Sequence, residues 1–225
     1  MKHIVKTEAD WLDLRKKFVT ASEAAVLVGA DPYSSPIKLR RPSTFTGNYY
    51  TDVGHLLEPI VVLETNKALN MNFELYETAD GTKEFYTMGH LGATPDAHQG
   101  RRILLECKTV RHPTYLKYSA VPPNKYIIQL LVQMMCTGLT EGYLALMCTG
   151  TGSEAGYNKL LSTGFDTLIE QKWKITVFKI MHSERICAIL NTEAERFMNN
   201  DKFRVNSQIK QTVALLLPTI YERVA

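Results

Sequence analysis

Two acids and a lysine occur close together in the middle of the chain, between His90 and Val110. Asp96 follows a proline at the end of a short apolar segment, and Glu106 and Lys108 lie in a second apolar segment. Carboxylate oxygens suit Mg²⁺ or Mn²⁺, and a neighbouring lysine can orient a water or offset the charge of a phosphate. These residue types at this spacing predict the chemistry of phosphodiester hydrolysis.

The second apolar segment begins with Ile103–Leu105 and predicts a short buried strand. Because side chains alternate along a strand, Glu106 and Lys108 should share one face, while Cys107 faces the other way. Two charged side chains on a buried strand are costly unless something compensates them, and a divalent cation bound by Asp96 and Glu106 would do so. The alternative is a surface hairpin in which Glu106 and Lys108 form a solvated pair.

The order Pro-Asp, nine intervening residues, then Glu-x-Lys resembles the active-site motif of the PD-(D/E)xK nuclease superfamily. This resemblance implies an α/β fold with a restriction-endonuclease-like core, in which helices flank a central mixed β-sheet. A short motif of this kind also occurs by chance, so the hairpin alternative stays open on the motif alone.

Length and composition set the limits for the rest of the chain. Its 225 residues fit a single domain, 1–225, and a net charge of +3 means that any nucleic-acid binding must come from local basic clusters.

The four cysteines are scattered, which argues against a disulfide framework, a zinc knuckle or an iron-sulfur cluster and favours a reduced, cytoplasmic protein. We also expect no signal peptide and no membrane span.

A second group of polar residues lies near the N-terminus. Residues 7–18 predict a short helix that ends in the basic triplet Arg15-Lys16-Lys17, and Thr20 or Ser22 would cap a following Ala-rich helix. Capping explains the hydroxyls, and the helix dipole explains the cations. Their convergence on one helix start nevertheless favours a phosphate-binding site.

Residues 29–50 predict a loop in which basic side chains alternate with tyrosines, a composition suited to tracking DNA, although a solvated linker is the alternative. A helix should follow from Asp52, its cap, to Leu69, with Glu58 close to the apolar face as a third candidate metal ligand or as an ordinary exposed acid. The loop's candidate DNA contacts are Lys38, Arg40 and Arg41, and its candidate strand wedges are Tyr49 and Tyr50.

A strongly apolar helix is predicted from Asn124 to Thr137. Tyr126, Gln129 and Gln133 form a polar ridge on it, whose amides need partners that a neighbouring active site would supply. Beyond it we expect a strand over 173–181 and helices over 183–201 and about 206–223, which pack on the sheet or form subunit contacts.

Five blocks in order resemble the phage lambda-type exonuclease family, also called YqaJ-like viral recombinases. The blocks are WLDLRKKFVTASE, GHLLEP, TPDA, LLECK and YIIQ, within residues 11–143. The resemblance implies that Arg15 with Thr20 and Ser22 holds a 5′ phosphate. It implies metal binding by Glu58, Asp96, Glu106 and the backbone carbonyl of Cys107, and catalysis by Lys108, Glu106, Asp96 and Gln129, with Tyr126 contacting DNA.

The same resemblance implies an activity and partners. A family member would be a Mg²⁺-dependent 5′-to-3′ exonuclease, with Mn²⁺ substituting, that degrades one strand from double-stranded DNA ends and leaves 3′ single-stranded tails. It would form a ring-shaped homo-oligomer, with a trimer favoured, and work with a single-strand annealing protein in phage recombination.

Two alternatives remain from the sequence. An endonuclease of the same superfamily would share the catalytic residues, and a non-catalytic DNA-end-binding protein could keep the fold. The intact set of Asp96, Glu106 and Lys108 speaks against the non-catalytic protein, because a binding module has no need of a strand with charged residues for metal binding.

Overall fold

The computed structural model describes residues 1–41, 48–76 and 81–225. Within these ranges the chain forms ten strands, ten α-helices and a 3₁₀ turn at Leu217–Thr219. The strands are β1 (Lys2–Val5), β2 (Val19–Thr20), β3 (Glu74–Leu75), β4 (Lys83–Met88), β5 (Leu91–Ala93), β6 (Ala97–Gln99), β7 (Ile103–Val110), β8 (Glu141–Cys148), β9 (Lys174–Met181) and β10 (Tyr221–Arg223). The helices are α1 (Glu8–Arg15), α2 (Ala21–Leu27), α3 (Pro36–Leu39), α4 (Tyr49–Leu69), α5 (His112–Tyr118), α6 (Asn124–Thr137), α7 (Glu154–Ser162), α8 (Phe165–Glu170), α9 (Glu184–Asn199) and α10 (Ser207–Leu216).

The central sheet has six strands in the order β10-β9-β8-β7-β6-β3. β7 and β8 run parallel over eight residues, with Glu106 opposite Leu144, and the other pairs in this sheet are antiparallel. Helices cover both faces, so the predicted α/β class with a central mixed sheet is confirmed. No helix among the described residues is long and apolar enough to cross a membrane.

Alternation along the central strands divides the core into two layers. On one face, Leu104, Leu146 and Phe178 pack against α2, α6 and α9. On the other, Leu105 and Val177 join the layer formed with α4, α7 and α8. Full burial of each such side chain stabilises the fold by roughly 1.5–3 kcal/mol, so strand β7 is held firmly from both sides.

Helix α4 begins earlier than the sequence predicted. Its cap is Asn48, whose side chain accepts from the amides of Tyr50 and Thr51, so the prediction of Asp52 as the cap was wrong. Tyr49 and Tyr50 form the first turn, where their rings pack on Tyr157 of α7 at 5.5 and 5.0 Å. The predicted loop over 29–50 is therefore shorter, also because α3 lies within it, and residues 42–47 fall outside the described ranges.

The C-terminal region also differs in part from the prediction. The strand and the first helix were predicted correctly as β9 and α9, and α9 buries Leu190 and Ala194 in the layer shared with α2 and α6. The second helix ends at Leu216, because Pro218 cannot continue it, and Tyr221 instead pairs with Ile180 at the sheet edge.

A smaller sheet, in the order β1-β4-β5-β2, stands beside the central one. Glu84 of β4 connects the two sheets, because Arg101, in the turn between β6 and β7, donates to both carboxylate oxygens at 2.8 and 3.0 Å. Lys2 of β1 donates at 2.6 Å, and the Tyr86 hydroxyl also donates to Glu84. This buried carboxylate therefore ties β4 of the smaller sheet to the turn between β6 and β7 of the central sheet.

Glu84 should make the fold sensitive to acid. Burial alone would raise the pKa of Glu84, but hydrogen bonds from Arg101, Lys2 and Tyr86 lower it to about 2. Because this pKa is lower in the folded than in the unfolded protein, Glu84 stabilises the fold above pH 4.5. This stabilisation, on the order of 2 kcal/mol after allowing for solvent screening, is lost as the pH falls towards 2. Urea unfolding between pH 6 and 2.5 should therefore show a shallower acid loss in Glu84→Gln than in wild type, and parallel curves would contradict this.

Candidate active site

Strand β7 carries an acid and a lysine on the same face. Glu106 is fully buried, and its carboxylate contacts the Lys108 ammonium. Leu105 lies in the opposite layer, as strand alternation predicted. A charged pair at this depth excludes the solvated surface hairpin as an explanation for these two residues.

Gln133 of α6 is the second partner of Glu106. It is also fully buried, and its side-chain amide donates to Glu106 Oε2, with a longer contact of 3.5 Å to the backbone carbonyl of Thr94. Among the described residues, no group donates a hydrogen bond to the other oxygen of Glu106, Oε1, which is in ionic contact with Lys108. The Gln133 amide thus holds one oxygen of the carboxylate, while the other oxygen faces a positive charge.

Asp96 lies in the connection that leads into β6. Its Oδ2 accepts a hydrogen bond from the backbone amide of Cys107 at 2.8 Å, which holds this acid beside β7. The amide of Cys107 is therefore used by Asp96, and the predicted role of the Cys107 carbonyl as a metal ligand stays a prediction.

The pKa shifts show that these charges interact. Burial and the neighbouring Glu106 and Glu58 raise the pKa of Asp96, while Lys108 opposes the shift. Burial alone would lower the pKa of Lys108, but Glu106 and Asp96 raise it above its usual range, so the ammonium stays charged. The acids thus repel one another, and a bound cation would relieve this repulsion.

A cleft of about 190 Å³ opens beside this group. Its walls bring together the two sets of residues that the sequence placed far apart, the acids of the chain centre and the phosphate-binding candidates of the N-terminus. The predicted residues that line it are Arg15, Thr20, Ser22, Glu58, Asp96 and Gln129. Asp96 thus connects the cleft to its neighbours Glu106 and Lys108, which do not line the cleft themselves.

Arg15 is held in the cleft by an aromatic ring. Its guanidinium lies 4.3 Å from the ring centroid of Trp11, whose indole N–H donates to the Thr94 hydroxyl at 3.0 Å. Burial lowers the pKa of Arg15, opposed by Glu23 and Glu8, but an arginine remains a cation at any physiological pH. A cation stacked in this way has a fixed position for binding an anion.

The hydroxyls of Thr20 and Ser22 have different surroundings. Thr20 donates from its hydroxyl to Glu23 Oε2 at 2.7 Å and from its amide at 2.9 Å, so its side chain takes part in the helix cap. Ser22 is exposed and its hydroxyl lies 3.1 Å from that of Thr20. Of the two, Ser22 is therefore better able to contact a ligand directly.

Helix α6 presents its polar ridge to β7, as expected, but with a different division of roles. Gln129 is partly exposed and lines the cleft, whereas Gln133, one turn further, bonds to the buried acid. The Tyr126 ring centroid lies 5.5 Å from the Lys108 ammonium. Sequence reasoning placed both glutamines on one helix face but missed the partner of Gln133, and it missed Thr94 altogether.

The remaining candidate DNA contacts do not line this cleft. Arg40 donates to backbone carbonyls at the end of α9, those of Phe197 and Asn200, so it joins α9 to the α3 region. Lys38 contacts the backbone carbonyl of Tyr33 at 3.5 Å. Arg41 is exposed beside α3, and the rings of Tyr49 and Tyr50 pack against Tyr157 of α7. Their roles in DNA binding stay predictions.

Comparisons with known proteins agree with this architecture. A search of curated protein sequences gives no match. Among solved structures, the alkaline exonuclease LHK-Exo from Laribacter hongkongensis is similar at a TM-score of 0.60 and 19% identity, covering 94% of this chain and 97% of that one. LHK-Exo in complex with dAMP matches at 0.58 and 20% identity with the same coverage. A phage-related exonuclease from Haemophilus somnus 129PT matches at 0.52 and 14% identity, covering 94% and 90%.

These structural matches show that the fold is shared, with the predicted restriction-endonuclease-like arrangement of a mixed sheet between helices. The sequence match is independent of them. The family model for the YqaJ-like viral recombinase domain matches residues 10–140, which is more than half of the chain and includes every residue lining the cleft. The chain therefore belongs to the YqaJ-like viral recombinase family.

Proposed function

We propose that this protein is a metal-dependent deoxyribonuclease that degrades one strand of linear double-stranded DNA from its 5′ end and leaves 3′ single-stranded tails. The observation that carries the proposal is the cleft that brings Glu58 and Asp96 together with Arg15 and Ser22. Family membership supports it, as do the similar folds of LHK-Exo, an alkaline exonuclease, and of the phage-related exonuclease.

Mg²⁺, with Mn²⁺ as a substitute, is the cofactor that fits the donor set. Glu58, Asp96, Glu106 and the backbone carbonyl of Cys107 offer only oxygen ligands, and Glu106 Oε1 is a buried oxygen without a hydrogen bond. Within the described ranges, no three His, Cys, Asp or Glu side chains are already arranged around one point. The Lys108 ammonium instead lies against Oε1 of Glu106, so the binding of a metal ion to this oxygen would require the ammonium to move aside.

The protein's own groups divide the remaining work. When bound, a divalent ion would supply a Lewis acid and lower the pKa of a water. Lys108, in ionic contact with Glu106, would orient the attacking water and offset charge on the phosphate. Gln133 would keep Glu106 in place, and Gln129 would contact water or DNA in the cleft.

Arg15 would bind the terminal 5′ phosphate. Its position against Trp11 is fixed, and a preorganised cation loses little freedom when it binds an anion. The exposed hydroxyl of Ser22 and the start of α2 lie on the same wall of the cleft. This arrangement would measure the distance from the DNA end to the acids and so confine cutting to ends.

We further propose that the protein acts in the cytoplasm of the host cell as a ring-shaped homo-oligomer, with a trimer favoured, and that it delivers its tails to a single-strand annealing protein. This rests on the family alone.

The test is digestion of a linear duplex that carries a 5′ phosphate on one strand only, with the 3′ end of each strand labelled. In Mg²⁺ we expect the phosphorylated strand to be lost from its 5′ end, a closed circle to stay intact, and Lys108→Ala to be slower by at least about 100-fold. The matched control is Lys179→Ala, a strand lysine paired with Glu141 on β8 at 3.0 Å, which should keep wild-type activity.

Other outcomes would change the conclusion. Cutting of the circle would indicate an endonuclease of the same superfamily. Absence of cutting in both Mg²⁺ and Mn²⁺ would leave a DNA-end-binding protein as the better explanation.

A further inference from the structure

A line of alternating ammonium groups and aromatic rings leads away from the candidate active site. The Lys108 ammonium lies 5.5 Å from the ring centroid of Tyr126, and the Lys125 ammonium lies 5.1 Å from the same ring. Lys125 is also 5.5 Å from the ring centroid of Tyr33. Four side chains from β7, α6 and the loop before α3 thus form a continuous series, which we call the tyrosine-lysine track.

The track ends at the protein surface. Tyr126 is partly buried, and its pKa is raised by burial. Tyr33 is 70% exposed, with the Lys125 ammonium beside its ring. A single exposed ring is common on proteins, so exposure alone means little. Its place at the end of a series that begins at Lys108 is what calls for an explanation.

Tyr33 is also held in position. Its backbone amide donates to Asp31 Oδ1 at 2.9 Å, and the Lys38 ammonium contacts its backbone carbonyl at 3.5 Å. Beside the track, the ring of Tyr118 packs edge-on against that of Tyr126, with the ring centroids 6.2 Å apart and the planes at 89°. The rings therefore stand on a constrained surface, which lowers the entropy cost of binding a planar group.

The ligand that fits such a surface is a chain in which anionic and planar groups alternate. A single strand of DNA has this chemistry, because its phosphates bind ammonium groups and its bases stack on aromatic rings without sequence preference. A protein partner would need neither the alternation nor the starting point at Lys108.

We propose that the tyrosine-lysine track binds the DNA strand next to the phosphate being cut, with a base stacked on Tyr33 and a phosphate bound by Lys125. The proposal rests on the proposed nuclease function and adds a binding surface to it. The track would hold the substrate strand after it has separated from its complement.

The experiment measures binding of a fluorescent single-stranded oligonucleotide by anisotropy in EDTA, and digestion of the linear duplex in Mg²⁺. Tyr33→Ala should weaken single-strand binding about 10-fold, since stacking of one base contributes about 1–3 kcal/mol. Tyr33→Phe keeps the ring and should stay within about twofold of wild type. Lys125→Met should reduce the slope of log affinity against log salt by about 0.7.

Phe165→Ala is the matched control, because Phe165 is an aromatic residue that is 43% exposed on α8, which packs in the layer on the opposite face of the sheet from α6. It should bind and digest DNA as wild type does. If Tyr33→Ala matches this control while wild type binds and cuts DNA, the track is overturned and the nuclease function stands. If wild type neither binds single strands nor digests the duplex, both proposals fail.

Discussion

Replacement of Glu106 by glutamine is expected to abolish DNA cleavage while DNA binding persists. The change keeps the size of the side chain but removes the negative charge that faces Lys108. Loss of a metal-binding acid should slow cleavage by at least about 1000-fold, because a bound divalent ion contributes several kcal/mol to the transition state and each ~1.4 kcal/mol is a factor of ten. Binding should be affected far less, since Arg15 and the tyrosine-lysine track remain.

The fold supplies a matched control for this variant. Glu193 on α9 is another fully buried glutamate paired with a basic residue, Arg196, and it lies outside the cleft. Both Glu106→Gln and Glu193→Gln replace the buried acid of an ion pair whose basic partner reaches solvent, and should lower the free energy of unfolding by about 1–3 kcal/mol. Only Glu106→Gln should stop cleavage.

The measurements are the rate of digestion of a linear duplex in Mg²⁺, its binding in EDTA, and urea unfolding of all three proteins. Equal loss of cleavage in both variants would show that the effect comes from stability. Cleavage by Glu106→Gln at more than a tenth of the wild-type rate would remove Glu106 from the site.

The parts of the site that the sequence predicted correctly depend on local rules. Strand alternation placed Glu106 and Lys108 on one face, and the cap at Thr7 placed α1, which carries Arg15. Both are properties of a few neighbouring residues. They hold because tertiary packing did not oppose them.

The parts that were missed depend on contacts distant in sequence. Arg40 lies in a basic stretch that suggested DNA binding, but its partners are carbonyls about 160 residues further along the chain. The start of α4 moved to Tyr49 because Asn48 offered a better cap and Tyr157 gave its first turn an aromatic partner. No local pattern could reveal the contacts of Arg40 or of Tyr157, whereas the Asn48 cap is a local signal that the prediction of Asp52 overlooked.

Gln129 and Gln133 illustrate the same limit at the site itself. They lie one turn apart on the same helix, so the sequence gives them the same orientation. Only the packing of α6 against β7 determines that Gln133 is fully buried against Glu106 while Gln129 reaches the cleft. The same substitution is therefore expected to have a large effect on stability at Gln133 and a small effect at Gln129.

Gln133→Leu is expected to lower the unfolding free energy by about 1–3 kcal/mol, because Glu106 Oε2 loses its donor in a buried environment. Gln129→Leu, at a partly exposed position, should change it by less than about 0.5 kcal/mol. Urea unfolding of both variants measures this difference. Equal effects would mean that Gln133 does not hold the carboxylate.

Gln133→Leu should also slow digestion by about 10- to 100-fold and raise the Mg²⁺ concentration that gives half the maximal rate, because Glu106 without its amide donor is no longer held in one orientation. A purely structural role would lower stability without changing the Mg²⁺ dependence. Ile128→Val, a change at a fully buried position of the same helix, separates the two, since it should cost about 0.5–1.5 kcal/mol through lost packing. If Ile128→Val shifts the Mg²⁺ dependence as much as Gln133→Leu does, then α6 acts on the site only through its packing, and the buried amide has no separate part in positioning the acid.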